Sequence, residues 1–426
     1  MRVGLQTWGS QGDIRPLAAL AWGLQRAGHE VTLVVTSVDP GDYEALAARL
    51  SIDLRCVASP VIADPAALEA IGLDLIREGN ALRQARTVLT RTFEPAVAEM
   101  YEAAAALCRD SDLVIGHFFH YPLRIAAEKL GCPHASVMLV HSAVASRHYP
   151  PAGLPDLGAW ANPLLWRLLR ALFNRTIKPF PDRLRARVGL PPAGDLLDDV
   201  WASRALNLIA VSAAFCARQD DWAPQHQVCG FLDPSAAGGG QERLDPALER
   251  FLGEGAPPVY VSFGSTPLGR AGVRRQLLDL LAEAAARASC RMIVQAPSWV
   301  DCGVEPSAAV HYVSAAPHAL VFPRCAAVIH HGGAGTVHSA TRAGRPSVVV
   351  PHHHEQWFWG RELKRLGLAP APLWRRDLTA ASLAARLSEA LRSTDMEARA
   401  QAAAERLRQE DGIATAVELI AARFPS

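Results

Sequence analysis

Residues 2–35, RVGLQTWGSQGDIRPLAALAWGLQRAGHEVTLVV, decide how the first half of the chain must fold. RVGLQT is an apolar run of strand length, and GSQGD after it reads as a loop. Leu17, Leu20 and Leu24 then recur at helical spacing until Gly28 stops the pattern. VTLVV is a second strand. Strand, glycine-bearing loop, helix and strand make a βαβ unit, which calls for a parallel sheet covered by helices.

The same alternation continues outward. SDLVIGH and HASVMLV are strands separated by the helical YPLRIAAEKLG, and LNLIAVS is a late strand of this half. Composition changes at GFLDPSAAGGGQERLDP, where Pro, Ser and a glycine run read as a linker. A second series follows it. PVYVSFGS, CRMIVQA, VHYVS, AAVIHH and PSVVVP are strands, RRQLLDLLAEAAARA is a helix, and the alanine-rich tail from Thr379 to Arg423 is helical. The expected fold class is α/β, with two Rossmann-like doubly wound domains facing a central cleft. Residues 1–230 form the first domain, 231–257 the linker region and 258–426 the second, whose last helices are free to return to the first.

A chain of 426 residues suits two such cores. Its formal charge of +1 gives no electrostatic case for nucleic acid as a partner. Eight cysteines lie scattered with no CxxC pair, which argues against a zinc ribbon or a disulfide framework and fits a reducing cytosol. MRVGLQTWGS lacks the apolar core of a signal peptide, and no uncharged run is long enough to span a bilayer. A soluble cytoplasmic protein is expected.

HHGGAGTVHSA, residues 330–340, joins the end of a strand to the start of a helix. Metal, phosphate and a plain turn are the three readings. Adjacent histidines on a strand point to opposite faces, so convergent metal ligation is disfavoured. A glycine-rich turn at a helix N-terminus offers free N–H groups and a positive dipole end, which favours an anion such as a diphosphate.

From His330 to Leu373 the sequence resembles the donor segment of the GT-B inverting glycosyltransferases that use nucleotide sugars. It is most similar to sterol 3-β-glucosyltransferases and to bacterial enzymes that glycosylate lipophilic natural products. The resemblance is specific at GSQGDIRPL, at DWAPQHQVCGFLD and from Pro317 to Pro372. It implies a nucleotide sugar bound by the second domain, an acceptor bound by the first, and no cofactor or metal. His331 and Thr336, with the backbone at Ala334 and Gly335, would hold the diphosphate. Ser265 and Thr266 in SFGST match a second phosphate-contacting loop, with turn capping as their alternative role. Ala316 and His318 would lie nearest the base. Plant members place a stacking Trp near Ala315 and a ribose-binding Glu at the position of Ser339. This chain has neither, so UDP-glucose over a dTDP-sugar is a preference set by the resemblance alone.

In PHHHEQWFWG the family pattern ends in Asp-Gln, whose side chains hold sugar hydroxyls; Glu355 and Gln356 occupy those positions, with His354 beside them on the acceptor side. His352 and His353 are expected in a solvated or acceptor-side loop, and Trp357, Phe358 and Trp359 in packing. In TWGSQGDIRPL, Asp13 is a good helix N-cap by its context. The resemblance makes it the base that deprotonates the acceptor hydroxyl, giving a β-glycoside from an α-linked donor. His117 and His120, in VIGHFFHYP, would border the same site, orienting Asp13 or serving as alternative bases, with His117 assisting Asp13 and His120 beside the acceptor with Trp8; packed loop histidines are the other reading.

Residues 164–190 carry Leu164, Leu165, Leu168, Leu169 and Leu172 on one helical stripe among seven basic residues. Such a segment suits an anionic membrane surface, and equally an ordinary domain core, so peripheral membrane contact stays open. A lipophilic hydroxyl compound fits either. Two other functions share this architecture: a nucleotide-sugar 2-epimerase needing no acceptor, and a non-catalytic nucleotide-sugar or lipid-binding protein. GSQGD and HEQ speak against both.

Overall fold

A computed structural model describes residues 1–39, 41, 43–62, 64–233, 243–264, 271–297 and 299–425. The first elements are β1 (Arg2–Gly9), α1 (Gln11–Arg26), β2 (Glu30–Ser37), α2 (Tyr43–Leu50), β3 (Asp53–Cys56), α3 (Pro65–Arg77), α4 (Ala81–Val88) and α5 (Val97–Asp110). Next come β4 (Leu113–His117), α6 (Tyr121–Leu130), β5 (His134–Met138), α7 (Asn162–Thr176), α8 (Pro179–Arg187), β6 (Leu206–Ile209) and β7 (His226–Val228). The second series is α9 (Pro246–Gly253), β8 (Val259–Ser262), α10 (Ala271–Arg287), β9 (Met292–Gln295), β10 (Val310–Val313), α11 (His318–Val321), β11 (Ala327–His330) and α12 (Ala334–Arg342). It ends with β12 (Ser347–Val349), α13 (His354–Arg365), α14 (Ala380–Arg392), α15 (Thr394–Gln409) and α16 (Gly412–Arg423).

These elements form two compact units, Met1–Leu68, Ala85–Gly239 and Glu410–Ser426 in one, Glu69–Gln84 and Gly240–Gln409 in the other. The first holds a seven-stranded parallel sheet in the order β3-β2-β1-β4-β5-β6-β7. Alternate residues of each strand feed opposite layers. Leu5, Leu33, Ile115 and Val137 pack under α1 and α16, whereas Val34 and Val114 pack with Leu107 of α5 and Leu123 of α6. Helix α16 belongs here because Ile413, Ala416 and Ile420 complete the α1 core, and a side chain on Gly23 would collide with Ile413.

The second unit has a five-stranded parallel sheet, β10-β9-β8-β11-β12. Val259, Val261, Val294 and Ile329 pack on α10 and α14; Tyr260, Ile293 and Val328 pack on the other face with Phe322 and α9. Part of the segment expected as linker is therefore structural, because α9 buries Leu248, Phe251 and Leu252 in this core.

Three local expectations change. GSQGD is not a loop throughout: the helix already begins at Gln11. The short edge strands β3 and β7 carry mixed burial rather than an apolar run, so the sequence did not announce them. The leucine stripe of α7 does not face the core, and Leu164, Leu168 and Leu172 are exposed. Among the described residues, no helix is long and apolar enough to cross a membrane.

Candidate active site

In the first sheet the strand order reverses between β1 and β4, and ligands in doubly wound sheets bind beyond the carboxyl ends of strands at such a point. Asp13 and His117 meet there. Ser10, not Asp13, is the N-cap of α1; Asp13 is the third residue of the helix and closes a capping box. Its Oδ2 accepts hydrogen bonds from the Ser10 N–H at 2.8 Å and the Ser10 hydroxyl at 3.1 Å. Its Oδ1 lies 3.9 Å from His117 Nε2 at the end of β4. One oxygen thus fixes the carboxylate, and the other is left for chemistry.

Burial outweighs the Ser10 hydrogen bonds and pushes the Asp13 carboxyl up to about 6. Burial also lowers His117 to about 4, so this imidazole is neutral near pH 7 and gives Asp13 no compensating charge. His117 Nδ1 has no hydrogen-bond partner among the described residues. Gly9 makes the geometry possible: it sits at φ 139°, and a Cβ there would lie 2.3 Å from Asp13 Oδ2.

Trp8 is buried and packs on Phe93 and Phe119, with centroids 4.9 and 6.1 Å away. Half-buried Phe118, Phe119 and Phe173 surround Trp201 at 5.4, 6.0 and 5.7 Å. An aromatic wall therefore adjoins the carboxylate, built largely from residues that sequence reasoning did not select. The run FFH after a strand was the available signal; Trp201, far along the chain, gave none. His120 is the cap of α6, its Nδ1 accepting the Leu123 N–H at 3.3 Å, and it is buried against Phe93.

In the second sheet the reversal lies between β8 and β11. Every described donor candidate stands at the carboxyl edge of these five strands. Helix α12 starts at Ala334 with Gly333 as N-cap and no side-chain cap, so the N–H groups of Ala334, Gly335 and Thr336 lack partners within the helix. The His331 ring occupies space left by two glycines: a Cβ on Gly264 would lie 2.7 Å from its Cε1, and one on Gly333 2.5 Å from its Nε2. Burial lowers His331 to about 4, and its Nδ1 is unpartnered among the described residues. His330 points the other way, fully buried, with Nδ1 accepting the Gly332 N–H at 3.1 Å.

Ala316 and His318 follow β10, where His318 stacks on Phe322 at 4.3 Å and its Nε2 lies 3.4 Å from Gln295 Oε1. Ser339 turns its hydroxyl back to the Gly335 carbonyl at 2.8 Å. Ser265 and Thr266 lie outside the described residues.

The 351–356 segment, a short loop leading into α13, is more committed than its sequence suggested. His352 is only 2% exposed, against the solvated position expected for it, and its ring lies 6.1 Å from His331. Gln356 is buried and its Oε1 accepts the His352 N–H at 2.7 Å, which leaves its amide N–H₂ without a partner among the described residues. Glu355 is exposed. Phe358 and Trp359 are buried, as expected of packing residues, and Trp357 stacks on Trp374 at 4.5 Å. His354 is anchored: Gln84 Oε1 accepts its backbone N–H at 3.1 Å, and its Nε2 lies 3.2 Å from the Gly79 carbonyl. Gln84 is itself buried and donates to the Leu75 and Glu78 carbonyls. Nothing in the sequence pointed to Gln84, some 270 residues away from the helix it holds. Arg375 was also missed. Its N–H donates to the Pro351 carbonyl at 3.0 Å, and its guanidinium has no ion pair among the described residues.

Comparison with known proteins identifies the family. Residues 280–419 match the family described as "Erythromycin biosynthesis protein CIII-like, C-terminal domain". The O-mycaminosyltylonolide 6-deoxyallosyltransferase of Streptomyces fradiae is 30% identical over 99% of this chain and 97% of its own length. A sterol 3-beta-glucosyltransferase of Arabidopsis thaliana is 25% identical over 100% of this chain and 68% of its own. The crystal structure of the glycosyltransferase VinC in complex with DTDP superposes with a TM-score of 0.63 at 20% identity, covering 99% of this chain and 98% of that one. The chain belongs to the GT-B glycosyltransferases and is related to the sterol glucosyltransferases and the antibiotic glycosyltransferases.

Proposed function

We propose that this glycosyltransferase moves a hexose, with inversion, from a nucleotide sugar to a hydroxyl of a lipophilic acceptor such as a sterol, lipid or polyketide-like compound, with Asp13 as general base. The observation that carries the reading is the divided Asp13 carboxylate. Its Oδ2 is locked by Ser10, its Oδ1 is open beside a neutral His117, and its pKa is raised into the range where a base works near neutral pH. The half-buried aromatic wall next to it suits an apolar acceptor.

In the reaction the acceptor oxygen gives its proton to Asp13 and forms a bond to the anomeric carbon. The bond from that carbon to the diphosphate oxygen breaks, and its electron pair leaves with the diphosphate. The growing charge is met by the uncapped N–H groups of α12, the Thr336 hydroxyl and one N–H of the His331 ring. Glu355 and the Gln356 amide hold the sugar, Ala316 and His318 the base, and His354 keeps the start of α13 in place. A single in-line displacement gives a β-glycoside from an α-linked donor. Charge neutralisation by the helix and these side chains makes turnover independent of added divalent metal.

Glucose from UDP-glucose is the first donor to test, because a sterol glucosyltransferase is among the relatives. A dTDP-deoxysugar is the second, supported by the 6-deoxyallosyltransferase relative and the DTDP complex of a fold neighbour. The site is read as working in the cytoplasm, with membrane contact peripheral. Mass spectrometry of reactions containing either donor, EDTA and pooled sterols, hydroxylated carotenoids, macrolides and flavonoids tests the reading. A hexosylated product that survives EDTA supports it. Product only with added metal, or isomerised donor without acceptor, sinks it.

A further inference from the structure

Helix α7 carries apolar side chains on both sides: Trp166 is buried and Leu165, Leu169 and Phe173 are half-buried, while a second leucine row faces outward. Its inner side is also pinned by polar contacts: Trp166 Nε1 donates to the Tyr149 carbonyl at 3.0 Å, Arg170 pairs with Asp195 and Asp198, and Asn174 Nδ2 donates to Asp195 at 2.8 Å. The outer face carries Leu164, Leu168 and Leu172 at i, i+4 and i+8, which are 51%, 69% and 42% exposed. Trp160, one turn before Leu164, is 83% exposed. Isolated exposed leucines need no explanation; an aligned row with a bare tryptophan in the turn before it does. The row from Leu164 to Leu172 extends roughly 12 Å, at about 1.5 Å per helical residue.

Charge says what covers this row. Helix α7 contains Arg167, Arg170 and Arg175 and no acidic residue. Arg170 is spent on the two aspartates beneath it. Arg167 and Arg175 are exposed and have no ion pair among the described residues. A second copy of this chain is a poor occupant. Two-fold pairing of the same face would set these arginines against their own equivalents. An anionic lipid surface satisfies both features, taking the leucines and the indole into the acyl boundary and the guanidinium groups to the headgroups.

We propose that the outer face of α7, from Leu164 to Leu172, with Trp160 in the turn before it, docks the enzyme on an anionic phospholipid surface, lying in the plane of the membrane without crossing it. The inference rests on the reading of a lipophilic acceptor and adds the phase in which that acceptor is met. None of these side chains belongs to the catalytic or donor-binding set.

The test is co-sedimentation of the full chain with vesicles of phosphatidylcholine alone and with added phosphatidylglycerol. Binding to the mixed vesicles, weakened by salt, is expected. Leu168→Glu should weaken it about tenfold or more, as loss of one buried leucine implies. Arg167→Gln and Arg175→Gln should each weaken it roughly fivefold, and only for the anionic vesicles. Trp160→Ser, outside the helix, repeats the apolar test without any helix substitution. The proposal is overturned by absence of binding to both vesicle types, by unchanged binding of Leu168→Glu and Trp160→Ser, or by self-association of the wild type that Leu168→Glu abolishes. Turnover of a water-soluble acceptor by Leu168→Glu should equal wild type. If no chain turns over any acceptor yet vesicle binding follows the expected order, the transferase reading fails and the docking surface stands.

Discussion

Replacing Asp13 by Asn separates the chemical role of this residue from its structural one. The amide keeps an oxygen that can accept the Ser10 N–H, now 2.8 Å from Oδ2, so the capping box and the start of α1 survive. What is lost is the ionisable oxygen facing His117. General-base catalysis contributes roughly 10²- to 10⁴-fold, so kcat should fall by about that factor, with little change in donor KM. The same substitution should stabilise the fold. Asp13 is held near 6 in the folded state, above its ordinary value, so its ionisation costs stability as pH rises from about 4 to 6 and the full cost persists above that. The side chain is 33% exposed, and solvent screening reduces the gain for Asp13→Asn to about 1 kcal/mol at pH 7. The gain should vanish below about pH 4. The wild-type kcat/KM should drop about tenfold per unit below pH 6, because His117, near 4, is neutral through that range. Initial rates from pH 5 to 8 and thermal melts at the two ends read both effects. An Asn variant within tenfold of wild type, or one that keeps the acidic limb, refutes the assignment of the base.

Other positions make independent demands. Gly332→Ala would place a Cβ 2.6 Å from the Gln356 carbonyl at φ 93°, and should cost about 2 kcal/mol or more in a melt. His331→Ala with Thr336→Val should weaken nucleoside diphosphate binding by about tenfold or more in calorimetry while leaving the melting midpoint of the free protein little changed. Gln84→Ala removes the acceptor for the His354 N–H and should raise donor KM more than it lowers kcat; Gln84→Glu should not rescue the loss, because a carboxylate cannot donate to the Leu75 and Glu78 carbonyls.

The parts of this molecule that repeat were legible before the structure. Parallel strands buried on both faces, such as LVIGH and VYVS, carry their own apolar signal, and glycines before helices mark the turns. The locations of Asp13 and His331 followed from those turns. What stayed hidden depends on contacts distant in sequence. Edge strands β3 and β7 are short and half-solvated, so no pattern marks them. Gln84 looks like any helical glutamine until the 69–84 segment is seen with the second unit. The α7 stripe misleads in the opposite way: a leucine row ordinarily means core, but here Trp166, Phe173 and the pairing of Arg170 with Asp195 and Asp198 take the inner side. Capping was misplaced: the context of Asp13 suggested an N-cap, whereas Ser10 holds that position and Asp13 closes the capping box three residues later.

The central claim is a single displacement at the anomeric carbon driven by one carboxylate, and product stereochemistry tests it most directly. Proton NMR of the purified glycoside made from an α-linked nucleotide sugar reports the anomeric configuration. A β-glycoside, formed in EDTA and absent with Asp13→Asn, is the expected result. An α-glycoside would mean retention, and with it a mechanism that Asp13, His331 and the start of α12 do not perform in the way described.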